Sequence, residues 1–270
     1  MAYTSIYNNI FGEAMKRLFF ALFALFLSSL SAISPPLQDI LNLFGIQAEH
    51  VQERWMQKGK ERWEFDKRYE YMHDVAWPFF EKAGLIFEAA PHTDRYDYAL
   101  IYGALLKTVE TRISYLADQW KKGVRFDQIV FLTGERPLLD SETAICSVEM
   151  ESEMVEWAYS RSELPKEIPV IFINAAGRKR DGAWIRPQTI DTIAAWLQTN
   201  PRPGNCLAVS NQPYVGYQHA VLQSFLPRGF EAETVGPAVQ GEPTVALILD
   251  TISKQLLYDA KVSASGGPLR

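Results

Sequence analysis

The chain is poor in the residues that most often build metal and redox sites. Its 270 residues include only two cysteines and four histidines. No Cys-x-x-Cys pair and no His-x-x-x-His spacing occurs, so we expect no zinc or haem site and no metal ligands. Cys206 stands in an apolar run, which favours a place in the core. A disulfide between Cys146 and Cys206 is the alternative that an oxidising compartment would permit.

Several well-known functional motifs are also missing. The chain has no Gly-x-Ser-x-Gly elbow, no P-loop and no Gly-x-Gly-x-x-Gly turn. These absences argue against an ordinary serine hydrolase, an NTPase and a standard dinucleotide enzyme, and the sequence identifies no cofactor. The net charge of -5 disfavours broad binding to nucleic acid. A hydrophobic content of 47% is ordinary for a globular protein with a substantial core.

The one long apolar run lies near the N-terminus. Lys16 and Arg17 precede the unbroken stretch Leu18–Leu27, and small residues follow it. This order is typical of a secretory signal, and the run is shorter than the roughly 20 residues that span a bilayer as a helix. We therefore predict a signal peptide over residues 1–33, with Met15 as the true initiator and an exported, periplasmic protein. A membrane anchor and a buried helix are the alternatives.

The next segment, residues 34–92, is predicted to be a helical extension. Leu37, Ile40, Leu41 and Phe44 follow helical spacing. Residues 49–72 mix aromatic, basic and acidic side chains, which indicates an amphipathic helix packed on the main domain. A contact surface for a protein partner is the alternative reading of these residues. Pro78 is expected to interrupt the helical pattern.

From residue 93 to residue 262, short apolar runs alternate with helical patterns. Near-continuous apolar strands are expected when helices cover both faces of a sheet. We predict an α/β fold, a three-layer Rossmann-like parallel sheet of about five strands, followed by a flexible tail over residues 263–270. The predicted strands are centred on residues 98–102, 128–133, 169–173, 206–209 and 230–235.

Ligands of open parallel sheets bind beyond the carboxyl ends of the strands. That rule selects Gly103 after the first strand and Gly134, Glu135 and Arg136 after the second. Glu135 would act as a general base and Arg136 would hold an anionic group. The two side chains could equally pair with each other or cap the next segment.

Two later segments complete the predicted rim. Residues 174–186 are strongly basic, and Arg178 and Arg186 are candidates to hold a phosphate or a carboxylate. A solvated loop is the alternative for these cations. The turn after the fourth strand offers amide, hydroxyl and phenol groups for ligand binding, with helix capping as their alternative role. Its candidate residues are Ser210, Asn211, Gln212 and Tyr214.

The order of these pieces resembles the YdcF/SanA/ElyC family of bacterial envelope-associated proteins over residues 96–237. Thr133-Gly134-Glu135 is similar to the family's Ser-Gly-Gly, and Val209-Ser210-Asn211 to its Val-Thr-Ser turn. Glu135 replaces the family's second glycine, and Tyr214 and Tyr217 stand where the family has His and Arg. The resemblance implies a Rossmann-like fold, an envelope setting and a cleft for a small polar or anionic ligand.

Together these features predict an exported, envelope-associated protein that binds a small phosphorylated or nucleotide-linked ligand at the strand ends. An enzyme of envelope precursor metabolism is the first hypothesis. A non-catalytic ligand-binding module and a structural envelope component are the alternatives. We expect no nucleic-acid partner, and contact with the membrane only through the N-terminal segment.

Overall fold

The computed structural model describes residues 33–60, 64–180 and 183–264. The predicted signal peptide and Met15 therefore fall outside the described residues, except for Ile33. The same is true of the predicted tail from residue 265 onward, whereas residues 263 and 264 end the last helix. The strands are β1 (Arg95–Tyr102), β2 (Arg125–Gly134), β3 (Val170–Ala175), β4 (Arg178–Arg180), β5 (Ala183–Ile185), β6 (Asn205–Val209) and β7 (Glu231–Val235).

Helices precede the sheet and connect its strands. They are α1 (Pro35–Leu43), α2 (Val51–Arg54), α3 (His73–Lys82), α4 (Leu106–Lys121), α5 (Asp140–Cys146), α6 (Glu151–Ser160), α7 (Thr189–Leu197), α8 (Val215–Phe225) and α9 (Val245–Ala264). The described part of the N-terminal extension also includes the 3₁₀ turns Ala48–His50 and Glu70–Met72.

Five strands form one parallel sheet in the order β3-β2-β1-β6-β7, which confirms the predicted fold. Successive side chains of a strand point to opposite faces. On β1, Ala99 and Ile101 pack with α4, α5 and α6, whereas Leu100 and Tyr102 pack with α7 and α8. Helices on both faces explain why the strands are apolar without alternation.

The N-terminal extension is joined to the sheet domain through α9. Leu37 and Ile40 of α1 and Phe80 of α3 share a buried cluster with Ile248 and Ile252 of α9. An ion pair between Asp39 and Lys82 (2.6 Å) also connects α1 to α3 at the surface. The extension thus buries its apolar face against the last helix.

The predicted helix over residues 49–72 is wrong. In the described residues of this segment, 49–60 and 64–72, the helical elements are single turns, and Trp55 is buried with 1% exposure. The predicted interruption at Pro78 is also wrong, since Pro78 lies inside α3. Proline removes one backbone hydrogen bond to the residue four positions earlier. Asp74 and Pro78 are both exposed, so water can serve the carbonyl group of Asp74.

Two elements of the sheet domain were not predicted. A short helix, α5, lies between β2 and α6. The basic segment expected as a loop contains an antiparallel ribbon of β4 and β5, in which Lys179 pairs with Trp184.

Both cysteines are buried free thiols. Cys146 belongs to the cluster on the α4 side of the sheet, and Cys206 belongs to the cluster on the α8 side. The sheet separates the two sulfur atoms, so this fold excludes the disulfide that the sequence left open. The core position predicted for Cys206 is confirmed.

Candidate functional site

The strand-end segments lie along one edge of the sheet. The N–H of Gly103 donates to the carbonyl oxygen of Leu132 (2.8 Å), and the N–H of Glu135 donates to that of Ala175 (2.9 Å). On the other side of β1, the N–H of Ser210 donates to the carbonyl oxygen of Val235 (2.8 Å). The ends of β1, β2, β3 and β6 therefore share one rim.

A buried arginine closes the rim between β1 and β6, the point where the strand order reverses and ligands usually enter. Arg112 of α4 is 1% exposed. Its guanidinium donates to the carbonyl oxygens of Tyr102 (2.7 Å) and Gly103 (3.0 Å). It also donates to Oδ1 of Asn211 from two nitrogens (2.8 and 3.0 Å). Asn211, which was predicted to bind the ligand, thus accepts hydrogen bonds from Arg112.

The rest of the β6 turn is also internal. Ser210, Gln212 and Tyr214 are buried. Nε2 of Gln212 donates to the carbonyl oxygen of Gly84 (2.8 Å), at the end of the N-terminal extension. Beyond it, the backbones of Ala89 and Gly236 pair in both directions. The extension therefore covers the β6–β7 half of the rim. These contacts do not reach the half above β1, β2 and β3, which we call the open half.

In the open half, a short pairing places Glu151 at the sheet edge. The N–H of Leu138 donates to the carbonyl oxygen of Glu149 (2.8 Å), and the N–H of Glu151 donates to that of Arg136 (3.0 Å). The carboxyl group of Glu151 reaches the end of β1, where a Cβ on Gly103 would lie 3.1 Å from its Cδ. The strand-end glycine is therefore what admits the carboxyl group.

Arg136 connects two buried carboxyl groups. Its NH1 donates to Oε2 of Glu142 (2.8 Å), and its Nε lies 3.6 Å from Oε2 of Glu151. Glu142 also accepts the N–H groups of Leu106 and Leu139, both at 2.9 Å. Arg136, which was predicted to hold an anionic group, thus mainly contacts the carboxyl groups of Glu142 and Glu151.

The two carboxyl groups titrate in opposite directions. Burial acts to raise the pKa of Glu142, but hydrogen bonds from Arg136 and two backbone N–H groups outweigh it, so that pKa is lowered. Burial raises the pKa of Glu151 to about 7, although the charge of Arg136, a hydrogen bond from Gly134 and the charge of Arg186 oppose it. Of the two carboxyl groups around Arg136, that of Glu142 is therefore ionised, and that of Glu151 exchanges its proton near neutral pH.

Glu135 and Arg178 hold the ribbon in place. Oε2 of Glu135 accepts the N–H of Gly177 (2.9 Å). NH1 of Arg178 donates to Oδ1 of Asp191 at the start of α7 (3.0 Å). Both predicted site residues thus make internal bonds, and neither contacts Glu151 in the interactions above.

Arg186 and Trp184 lie on the open side. Arg186 is exposed, and its charge lowers the pKa of Glu151, so the two groups share one electrostatic environment. Pro187, the next residue, packs directly on Gly134 at the end of β2. Trp184 is 51% exposed. Leu105 and Leu139, which flank Glu142, are also exposed, at 40% and 42%.

Two hollows occur elsewhere on the described surface. One of about 240 Å³ lies between α4 and α6 and includes Trp157 and Arg161. An open one of about 540 Å³ lies beside His73, Trp77 and Glu242. Neither hollow brings a buried ionisable group together with exposed cations. We therefore take the strand-end rim as the candidate site because of its ionisable groups.

Sequence reasoning missed Glu142, Glu151 and Trp184. The run of glutamates from Glu149 to Glu156 was visible, but helix spacing alone does not distinguish the buried member of such a run. Glu151 is the first residue of α6, where an acidic side chain is ordinary because it faces the helix N-terminus. Its burial follows from the strand-like backbone pairing with Arg136, which no local sequence pattern predicts.

Comparison of the chain with protein-family models, with curated proteins and with solved structures gave no match. Within the described ranges, no helix is both long and apolar enough to cross a membrane. Nor do the described histidine, cysteine, aspartate and glutamate side chains form any group of three or more that would hold a metal ion.

Proposed function

We propose that the protein binds a small phosphorylated ligand above the ends of β1, β2 and β3, and that Glu151 exchanges a proton with it. The arrangement that supports this proposal most is the buried carboxyl group of Glu151, which lies at the end of β1 and 3.6 Å from Arg136, and on which the charge of exposed Arg186 acts. Burial raises the pKa of this group to about 7. Perturbed carboxyl groups of this kind are typical of acid–base sites.

Arg186 and Glu151 have complementary roles in this proposal. The guanidinium of Arg186 makes charge-assisted hydrogen bonds to a phosphate oxygen. Glu151 in its protonated form donates a hydrogen bond, whereas its ionised form repels the anion. Bound phosphate therefore raises the pKa of Glu151 further and keeps its proton in place.

The corresponding reaction is hydrolysis of a phosphate ester. Water forms the new bond to phosphorus while the bond to the leaving oxygen breaks, and Glu151 gives its proton to that oxygen. One proton of the attacking water is released to solvent, and Glu151 regains a proton from solvent before the next turnover. Positioned acids of this kind contribute about 10²- to 10⁴-fold to the rate. Arg136 holds Glu151 in place from behind through the 3.6 Å contact and acts as a positioning residue.

Thermal denaturation with and without inorganic pyrophosphate and a panel of sugar phosphates tests the binding step. A ligand at about 100 times its Kd should add about 2.7 kcal/mol to the free energy of unfolding. Arg186→Gln should abolish this gain, whereas Arg161→Gln, which changes an exposed arginine just after α6, should preserve it. No stabilisation by any of these anions, or equal stabilisation of both variants, would refute the proposal.

A non-catalytic binding module is the second candidate. The internal hydrogen bonds of Glu135 and Arg178 favour it, because they occupy two side chains that were predicted to act on the ligand. Glu151→Gln separates the two candidates, because it keeps the shape of the side chain and removes its proton. Turnover of a stabilising phosphate ester that falls in this variant while binding persists indicates an enzyme. Binding without turnover in the wild-type protein indicates a module.

We also propose that the protein works outside the cytoplasm, in the cell envelope. Support comes from the Lys16-Arg17 pair before Leu18–Leu27, and from the resemblance to the YdcF/SanA/ElyC family in the order of its strand-end motifs. Cell fractionation and N-terminal sequencing test this point. Recovery in the cytosol with Met1 intact would refute it.

A further inference from the structure

The β4–β5 ribbon beside the open rim carries an aromatic side chain between two cations. Lys179 and Trp184 are paired across the ribbon, and cross-strand partners share a face. Arg186 directly follows the last residue of β5 and stands two residues after Trp184. Lys179, Trp184 and Arg186, which we call the ribbon face, are all exposed.

The indole ring of Trp184 packs on the backbone of Gly177. A Cβ on Gly177 would overlap the six-membered part of this ring, so the ring lies directly on the glycine backbone. The N–H of Gly177 is in turn fixed by Oε2 of Glu135 (2.9 Å). About half of the tryptophan surface (51%) nevertheless remains exposed. Of the tryptophans in the part of the chain that the structure describes, Trp184 alone is exposed.

An exposed and fixed indole is suited to stacking with a flat ring. Nucleobases stack on aromatic side chains without regard to sequence, and the neighbouring cations suit the phosphates that a nucleotide carries. A sugar phosphate would use the cations but could offer the indole only the C–H groups of its ring, whereas a nucleobase offers a flat π surface. An uncharged aromatic compound would use the indole and leave the cations unused.

We propose that the ribbon face binds a nucleoside diphosphate or a nucleotide-linked compound, with its base on Trp184 and its phosphates at Arg186 and Lys179. The phosphate nearest Arg186 then lies on the side of Glu151, with which that arginine shares its electrostatic environment. This inference rests on the proposed phosphate site and adds the class of ligand that the site takes.

Isothermal titration calorimetry of the full chain with UDP, ADP, GDP and CDP, with inorganic pyrophosphate and with uridine tests the inference. At least one nucleoside diphosphate should bind about tenfold or more tightly than pyrophosphate. Trp184→Ala should weaken nucleotide binding by about 5- to 100-fold and leave pyrophosphate binding unchanged. Trp184→Phe should retain most of the affinity, because phenylalanine also stacks.

Two further variants separate stacking from a general change in the ribbon. Gly177→Ala keeps every functional group but displaces the indole, so it should weaken nucleotide binding as Trp184→Ala does. Tyr71→Ala removes an aromatic side chain that is 79% exposed on the extension, and it should change nothing. Circular dichroism verifies that each variant is folded.

The outcomes distinguish this inference from the function on which it rests. If pyrophosphate binds in an Arg186-dependent way and the nucleotides bind no more tightly, the inference is wrong and the phosphate site stands. The same conclusion follows if Trp184→Ala binds nucleotides as the wild type does. If no nucleotide binds, the inference is wrong, and if pyrophosphate and the sugar phosphates also fail to bind, both proposals are wrong.

Discussion

Replacing Glu151 by glutamine should remove a specific pH dependence from the stability of the protein. Burial raises the pKa of this carboxyl group from its ordinary 4.5 to about 7 in the folded state. Between these two values the unfolded chain has released the proton that the folded protein still holds. The free energy of unfolding therefore falls as the pH rises through this window.

The magnitude follows from the shift. Each unit of pKa difference corresponds to about 1.4 kcal/mol, so ionisation of Glu151 costs the folded state about 3 kcal/mol in all. The contribution of the neutral carboxyl group is fully present below pH 4.5 and is lost as the pH rises through about 7. The amide side chain of the Glu151→Gln variant does not ionise, so this variant should become more stable relative to the wild type by about 3 kcal/mol across this range.

Urea denaturation followed by circular dichroism at several pH values between about 5 and about 8 measures the difference between the two proteins. Taking the difference cancels the titration of other groups. Glu156→Gln, which changes an exposed carboxylate on the same helix, is the matched control and should show no such trend. A difference between wild type and Glu151→Gln that is constant with pH would refute the argument.

Two further predictions concern the core around the site. Arg112→Ala should lower the free energy of unfolding by about 3 to 5 kcal/mol in urea denaturation, because it leaves two backbone carbonyl groups and the side chain of Asn211 without their buried donor. A loss below about 1 kcal/mol would contradict the role given to this arginine. The thiols of Cys146 and Cys206 should react with Ellman's reagent only after unfolding, because both are buried and burial raises the pKa of Cys206 to about 12. Reaction in the native protein, or fewer than two thiols in urea, would contradict the structure.

The fold could be predicted because its signals are local and repeated. Each strand of the parallel sheet is a short apolar run, and each connecting helix has its own spacing. The β4–β5 ribbon was missed because Arg178, Lys179 and Arg180 give no apolar alternation. The segment over residues 49–72 was misread because its aromatic residues follow single turns that pack on α9 rather than one continuous helix.

The candidate site was predictable only as a location. The rule for parallel sheets selected one edge of the sheet, and Gly103, Gly134 and Arg186 lie in the half of that edge where we propose the site. It did not reveal that Arg112 and the N-terminal extension close the other half, since these contacts join residues about a hundred positions apart, as in Arg112 and Asn211. Nor did it indicate which glutamate would be buried. Burial depends on packing between distant segments, which residue spacing does not encode.

The shared cluster of α1, α3 and α9 has a consequence for biosynthesis. Leu37 and Phe80 leave the ribosome long before Ile248 and Ile252 have been made, yet they bury their apolar surface against these late residues. The first helices of the domain therefore remain without their packing partner until α9 has been made. During that interval their apolar side chains are open to chaperones, and the extension docks only after α9 has left the ribosome.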